Sequence, residues 1–291
     1  MNTIHDIKSL RRLIRDWKRT DEKIALVPTM GNLHEGHLSL LSHARRIAKR
    51  TVVSIFVNPI QFGRGEDYEH YPSTLDSDNE KLERAGVDLV FTPNLKELYP
   101  GGITEDTRVT VPAISEILCG ESRPGHFTGV ATVVIKLLNN VQPDFALFGE
   151  KDFQQVLVIR RMVQDLLIPV EIIALPIIRE DDGLAMSSRN NYLTPELRQY
   201  AAVIYESLST AAENLKLQRT TITILEAACR EAVEEKGMRL EYVSVRRSED
   251  LTPAGAGDRE LIILMAVWLG KARLIDNVQV LLEEPLRGAC L

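Results

Sequence analysis

Cysteine is scarce: three in 291 residues, Cys119, Cys229 and Cys290, standing far apart. The odd count and wide spacing leave no disulfide framework, and no CxxC or Cys/His metal spacing occurs. Free thiols suit a reducing compartment. Positive charge is not in excess either. With 35 Lys and Arg against 41 Asp and Glu, the formal net charge is -6. Bulk charge therefore does not hold this chain to nucleic acid, although local basic sites for a small anion stay open. No long apolar run opens the chain. Its first stretch, MNTIHDIKSLRRLIRDWKR, is charged and amphipathic, unlike a signal peptide or a membrane span. Repeats and low-complexity segments are also missing. What remains is 44% hydrophobic and 26% charged, the composition of a globular enzyme with one large α/β domain or two smaller ones. A cytoplasmic protein with no nucleic-acid or membrane partner is expected.

Periodicity supplies the organisation. Residues 5–19 carry Ile7, Leu10, Leu13, Ile14 and Trp17 at helical spacing. KIALVPTM reads as a buried strand and HLSLLSHARRIAKR as the helix after it. TVVSIFV is a strand with NPIQFG as its exit loop. A helix over 75–85, a strand in VDLVFTP, a helix over 130–141, a strand in DFALFG, a helix in FQQVLVIRRMVQDLL and a strand in VEIIALP follow. This alternation predicts an α/β fold with a mostly parallel sheet covered on both faces. Near residue 180 the pattern changes to the polar REDDGLAMSSRNNYLT. Helices over 195–215 and 220–236 come next, with Thr194 as N-cap, Pro195 at the first helical position and Gly237 as a stop. The strands LEYVSV, ELIILMAVWLG and ARLIDNVQV complete a smaller α+β domain.

Ligands of open parallel sheets bind beyond the carboxyl ends of the strands, so PTMGNLHEGH, NPIQF, GEKDFQQ and MSSRN are read together. Gly31 and Gly36 let the backbone come close to a ligand or take positive φ. The helix that opens at Gly36 offers free N–H groups to an anion, and His34 and His37 line the same turn. Three readings of the histidines stand. Zinc would need a third ligand, and HEGH is not the HExxH of a zincin helix. Two hydrogen-bonded structural histidines are the plainer reading. The glycines, the strand-to-helix position and the other loops favour phosphate contact. Lys151 brings a point charge, while Gln61, Gln154 and Gln155 bring amides suited to a small hydroxy acid. Ser187, Ser188 and Arg189 combine hydroxyls with a guanidinium, as a triphosphate clamp would. In SRPGHF a tight turn presents Arg123 and His126. Each of these alone also reads as ordinary surface polarity.

Seven fragments occur in one order over nearly the whole chain: PTMGNLHEGHLSL, SIFVNPIQF, YPSTLDSD, RPGHFTGVATVV, LFGEKDFQQ, REDDGLAMSSRN and ARLIDN. Together they resemble the pantoate–β-alanine ligase family, within the nucleotidyltransferases that carry a HIGH-type histidine motif on a Rossmann-like sheet. The resemblance implies a Rossmann-like domain over 1–179 that binds ATP and pantoate, and a smaller α+β lid over 180–291. It implies ATP-dependent condensation of pantoate with β-alanine through pantoyl adenylate, releasing AMP and pyrophosphate. Catalytic roles then fall to His34, His37, Lys151, Ser187, Ser188 and Arg189. Met30, Gly31, Gly149, Asp152 and Met186 would join them around ATP. Pro28, Thr29, Met30, Gln61 and Gln155 would hold pantoate, with Asn58, Arg123 and His126 as further candidates. Mg2+ on the phosphates is implied, with Asp78 beside it, and so is a homodimer. MSSRN lacks the lysines of the related KMSKS loop, so phosphate charge must be met elsewhere. The alternative is a related nucleotidyltransferase that adenylates a phosphate substrate. It would share the histidine motif but not NPIQF and GEKDFQQ together. A non-catalytic nucleotide- or tRNA-binding protein is a third reading, and the acidic charge stands against it.

Overall fold

Apolar runs of strand length give way repeatedly to stripes of period 3.6, and the elements follow that rhythm. The computed structural model describes residues 1–63 and 65–291. They form two compact units, Met1–Glu150 with Gln155–Pro176, and Lys151–Gln154 with Ile177–Leu291.

In the first unit the elements are β1 (Asn2–Ile4), α1 (Ile7–Arg19), β2 (Ile24–Thr29), α2 (Glu35–Ile47), β3 (Arg50–Ile55), α3 (Leu75–Arg84) and β4 (Leu89–Phe91). Then come α4 (Leu95–Leu98), α5 (Cys119–Ser122), α6 (His126–Val141), β5 (Phe145–Gly149), α7 (Phe153–Asp165) and β6 (Glu171–Leu175). Phe153 and Gln154, at the start of α7, group with the second unit. The strands make one six-stranded sheet among the described residues, in the order β1-β4-β3-β2-β5-β6, and every pairing is parallel. The order reverses at β2. That strand pairs with β5 at Ala25–Phe145 and Leu26–Ala146, and both strands run on beyond these pairs, to Thr29 and Gly149. A reversal of this kind opens the crevice where such sheets take their ligands.

Alternation along β2 explains why the strand shows no polar face. Ala25 and Val27 pack with Leu40, Leu41 and Ala44 of α2, Leu82 of α3, and Val53, Val90 and Leu147 of the neighbouring strands. Ile24 and Leu26 point the opposite way and are equally buried. In α1, Leu10, Ile14 and Trp17 share one buried stripe. The Ser9 backbone N–H donates to the Asp6 carboxylate at 2.8 Å, which caps the helix and lowers the carboxyl pKa.

The second unit contains α8 (Pro195–Arg198), α9 (Val203–Lys216), α10 (Ile222–Glu234), β7 (Arg239–Arg247), β8 (Glu260–Leu269) and β9 (Ala272–Leu281). The strands form an antiparallel sheet in the order β7-β8-β9. Leu261, Ile263, Met265 and Val267 of β8 face Ile204, Leu208 and Leu215 of α9 and Leu225, Cys229 and Val233 of α10. Period 2 on the sheet thus meets period 3.6 on the helices.

Thr194 caps α8 by accepting from Leu197 N–H, and Gly237 follows α10 at φ 75°. The helix expected over 195–215 is broken between Arg198 and Val203. Ala201 N–H donates to Arg198 and Ile204 N–H to Ala201, the tighter i→i+3 spacing. Asp182 holds both ends of the Arg198 guanidinium in the last turn of α8. β1 has three residues, too few for an alternation to be read. Among the described residues, no helix is long and apolar enough to cross a membrane.

Candidate active site

The turn from β2 into α2 is built by its own side chains. Thr29 Oγ1 donates to Ser54 O at 2.9 Å and accepts from Gly31 N–H at 3.3 Å. Gly31 has φ 84°, where an L side chain is strained. Pro28, half-buried, stands opposite Ser54 in the β2–β3 ladder. Beneath the turn, Asp78 accepts from the backbone N–H groups of Asn32 and Leu33, each at 2.8 Å, and from Thr74 Oγ1 at 3.0 Å. Lys81 Nζ donates to Leu33 O at 2.7 Å. α3 therefore clamps the loop from one side.

The two histidines then form a reciprocal cap at the start of α2. His34 Nδ1 accepts from Gly36 N–H at 3.2 Å, and His37 Nδ1 accepts from His34 N–H at 3.3 Å. The rings lie 4.2 Å apart, tilted by 46°. Because both Nδ1 atoms accept, the proton of each neutral ring sits on Nε2. A Cβ on Gly36 would stand 2.9 Å from His34 Cε1, so glycine at this position lets the ring fold back over the helix end. Glycine and histidine thus share one turn because the imidazoles replace Ser and Glu in a capping box. The product is a helix N-terminus with two N–H-bearing rings, suited to an anion.

Next to it, Gln61 ends the 3-10 turn Pro59–Gln61 after β3. Its Nε2 lies 3.0 Å from Met30 Sδ, and its Oε1 accepts from Asn58 Nδ2 at 3.2 Å. Arg123 and His126 reach the same turn through its backbone. Arg123 pairs with Glu66 through two 2.6 Å bonds and donates to His126 Nε2 at 3.0 Å. An arginine can only donate, so His126 carries its proton on Nδ1 and gives it to Gln61 O at 2.7 Å. Arg123 also donates to Gln61 O at 3.4 Å. Gln155 lies on the first turn of α7, half-buried, and Gly149 closes β5. Among described residues, no heavy atom beyond its chain neighbours lies within 4 Å of where a Cβ on Gly149 would stand, so packing against the rest of the protein does not require glycine there.

The second unit holds the cationic group of candidates. Lys151 and Asp152 belong to the 3-10 turn Glu150–Asp152. Desolvation depresses the Lys151 pKa, Asp152 and Asp276 oppose that, and Arg189 adds to it. Two like charges brought within range of each other, one of them desolvated, are what an anion would relieve. Met186 N–H donates to Ile178 O at 3.0 Å, and Arg179 bridges to Ala185, so REDDGLAM is a short hairpin rather than an open loop. Ser187 Oγ then accepts from Arg189 N–H at 3.2 Å, and Ser188 is buried.

Two residues of ARLIDN, read only as part of a fragment in the sequence, anchor that hairpin. Arg179 meets Asp276 with bonds of 2.6 and 3.0 Å, donates to Gly183 O at 3.0 Å and stacks 3.7 Å over Tyr205. Asn277 Nδ2 donates to Lys151 O at 3.2 Å. The only signal of this role was an acidic residue inside a strand pattern.

The surroundings of Asp78 do not fit a metal held by the protein. The residue is 1% exposed, and its oxygens already accept two backbone N–H groups and a hydroxyl. No group of three or more His, Cys, Asp or Glu among the described residues is placed to hold a metal ion. In this structure the Asp78 carboxylate anchors the turn that carries His34.

Comparison with known proteins points to one family over most of the chain. Residues 2–279 match the family model for pantoate-beta-alanine ligase. A pantothenate synthetase of Marinobacter nauticus is 52% identical over 280 residues, 96% of this chain and 99% of that protein. One from Pseudomonas fluorescens is 51% identical, covering 97% of this chain and all (100%) of that protein. Among solved structures, pantothenate synthetase from Thermus thermophilus superposes with TM-score 0.89 at 44% identity, covering 96% and 99% of the two chains. Pantoate-beta-alanine ligase from Francisella tularensis, complexed with beta-gamma ATP and beta-alanine, gives TM-score 0.81 at 36% identity, covering 96% and 97%. The chain is a member of the pantoate–β-alanine ligase family.

Proposed function

We propose that this protein joins pantoate to β-alanine at the expense of ATP. The pantoate carboxylate attacks the α-phosphorus of ATP, forming an acyl–O–P bond as pyrophosphate departs. The β-alanine amine then attacks the acyl carbonyl, the acyl C–O bond breaks, and AMP leaves. Adenylation supplies the leaving group that a carboxylate lacks at neutral pH. The observation that carries this reading is the histidine cap. Two Nε2–H groups stand at the start of α2, where the helix dipole favours an anion.

Roles follow from the chemistry of each group. His34 and His37 donate to the phosphates, and Lys151 and Arg189 meet their charge. Ser187 and Ser188 give hydroxyls to the outer phosphates. Met30, Gly31, Gly149, Asp152 and Met186 line the nucleotide site. Gln61 and Gln155 hold the oxygens of pantoate, with Pro28, Thr29 and Met30 against its apolar face. Asn58, Arg123 and His126 hold Gln61 in place. Little covalent work falls to the protein; positioning and charge carry the rate. Magnesium enters as the counter-ion of the substrate nucleotide and not on Asp78. A domain boundary at residue 180, where the sequence pattern changes, a cytoplasmic location and a homodimer complete the proposal.

The test is product release. AMP, pyrophosphate and pantothenate are expected when ATP, magnesium, pantoate and β-alanine are all present. Turnover of ATP to AMP without β-alanine dependence, or none from folded protein, would overturn the reading.

A further inference from the structure

Behind Gln61 lies a hydrogen-bonded chain whose polarity is set at one end. Asn58 is 1% exposed, and its Nδ2 lies 3.1 Å from Gly129 O. A backbone carbonyl only accepts, so the Asn58 atom facing it must be the amide nitrogen. The same Nδ2 reaches Gln61 Oε1 at 3.2 Å, so the Gln61 atom on that side must be oxygen. Gln61 is thereby left with Nε2 outward, toward Met30. On the other side of Asn58, Oδ1 accepts from Tyr99 Oη at 2.8 Å.

Each link is packed so that it cannot drift. Gly129, on α6, lies against the Pro59–Gln61 turn; a Cβ on it would come within 2.7 Å of Gln61 N and of Ile60 C. Tyr99 is 1% exposed, with its ring 6.3 Å from Phe56 and Lys136 Nζ 3.9 Å from its centroid. Lys136 is itself tied to Leu98 O at 2.6 Å and to Asp106 at 2.7 Å. Burial pushes the phenol pKa far up, and Asp106 adds to this, so the hydroxyl keeps the proton it must donate.

We infer that Tyr99 is a positioning residue for the substrate: through Asn58 it fixes the Gln61 amide so that only N–H donors face the ligand. The subsite then accepts hydroxyl or carboxylate oxygens and rejects a donor-only group in their place. Without the Tyr99 hydroxyl, Asn58 Oδ1 is a buried acceptor with nothing to accept, and the amide orientation that sets Gln61 loses one of its two fixed ends. The inference rests on Gln61 being a pantoate contact, and the experiment separates the two.

Steady-state turnover is measured with pantoate varied, then ATP varied, for wild type, Tyr99→Phe, Gln61→Ala and the double variant. Tyr99→Phe is expected to raise the pantoate KM about tenfold, as one unsatisfied buried acceptor would, with the ATP KM unchanged. Gln61→Ala raises the pantoate KM further, and the double variant matches Gln61→Ala alone. A wild-type pantoate KM in Tyr99→Phe overturns the inference. So do penalties that multiply in the double variant, or equal shifts in both KM values. A wild-type pantoate KM in Gln61→Ala overturns the site reading beneath it. Should Tyr99→Phe fail to fold, replacement of Tyr99 by 4-fluorophenylalanine, which fills the volume of the hydroxyl but cannot donate to Asn58 Oδ1, runs through the same cycle with the same expected outcomes.

Discussion

Asp78→Asn separates a loop anchor from a metal ligand. In the folded protein the carboxylate accepts from Asn32 N–H and Leu33 N–H at 2.8 Å each and from Thr74 Oγ1 at 3.0 Å. At 1% exposure the group is not screened by solvent. An amide keeps one acceptor oxygen and turns the other position into a donor that faces a backbone donor. One charge-assisted bond, worth about 2 kcal/mol, is lost, and an orphaned buried N–H costs about 1–2 kcal/mol more. The expected loss is about 3–4 kcal/mol. Trp17 and Trp268 are the two tryptophans, so a Trp268→Phe background leaves Trp17, on α1, as the fluorescent reporter of the first unit during urea unfolding. The magnesium concentration for half-maximal turnover is expected to stay at its wild-type value, while ATP turnover falls because the histidine turn is loosened. Wild-type unfolding together with a tenfold higher magnesium requirement would refute this assignment.

Three further outcomes follow from the same geometry. His34→Ala is expected to slow adenylate formation about a hundredfold or more while the far-UV circular dichroism is unchanged; near-normal single-turnover rates would remove its phosphate role. Asp276→Asn leaves Arg179 without its bidentate partner and is expected to cost about 3 kcal/mol in thermal unfolding, with ATP KM raised because the hairpin before Ser187 loses its anchor. Lys151 has its pKa lowered from 10.5 by desolvation, so kcat/KM for ATP should fall on the alkaline side below the pH of an ordinary lysine, and Lys151→Arg should move that limb upward. Stability runs the other way. The folded protein binds fewer protons at Lys151 than the unfolded chain, so this group's contribution improves as pH rises from its folded pKa toward 10.5. A limb at the ordinary lysine pKa would contradict the burial of its charge.

Some of this was legible in the residues and some was not, for physical reasons. Strands with long apolar runs, such as IALV in β2 and TVVSI in β3, announce themselves because both faces of a parallel sheet are covered. The caps at Thr194 and Gly237 are local and need no tertiary information. β1 was silent at three residues, and no Gly or Pro in 199–202 marks the break between Arg198 and Val203. In the site, a histidine pair beside two glycines on a strand-to-helix turn could be read as an anion-facing feature. That the rings cap their own helix through Nδ1 could not, because tautomer and ring orientation are set by backbone geometry. The roles of Asp78, Tyr99 and Asp276 are set by distant partners. Their partners lie 45, 41 and 97 residues away, and only folding brings them together.

The central claim is that the pantoate carboxylate becomes an acyl adenylate. Pantoate labelled with 18O in its carboxylate tests it in one turnover. Attack on the α-phosphorus followed by acyl C–O cleavage must leave one labelled oxygen on AMP and none on pyrophosphate. Mass spectrometry of the products is expected to show that transfer. Unlabelled AMP, or label in pyrophosphate or inorganic phosphate, would contradict it.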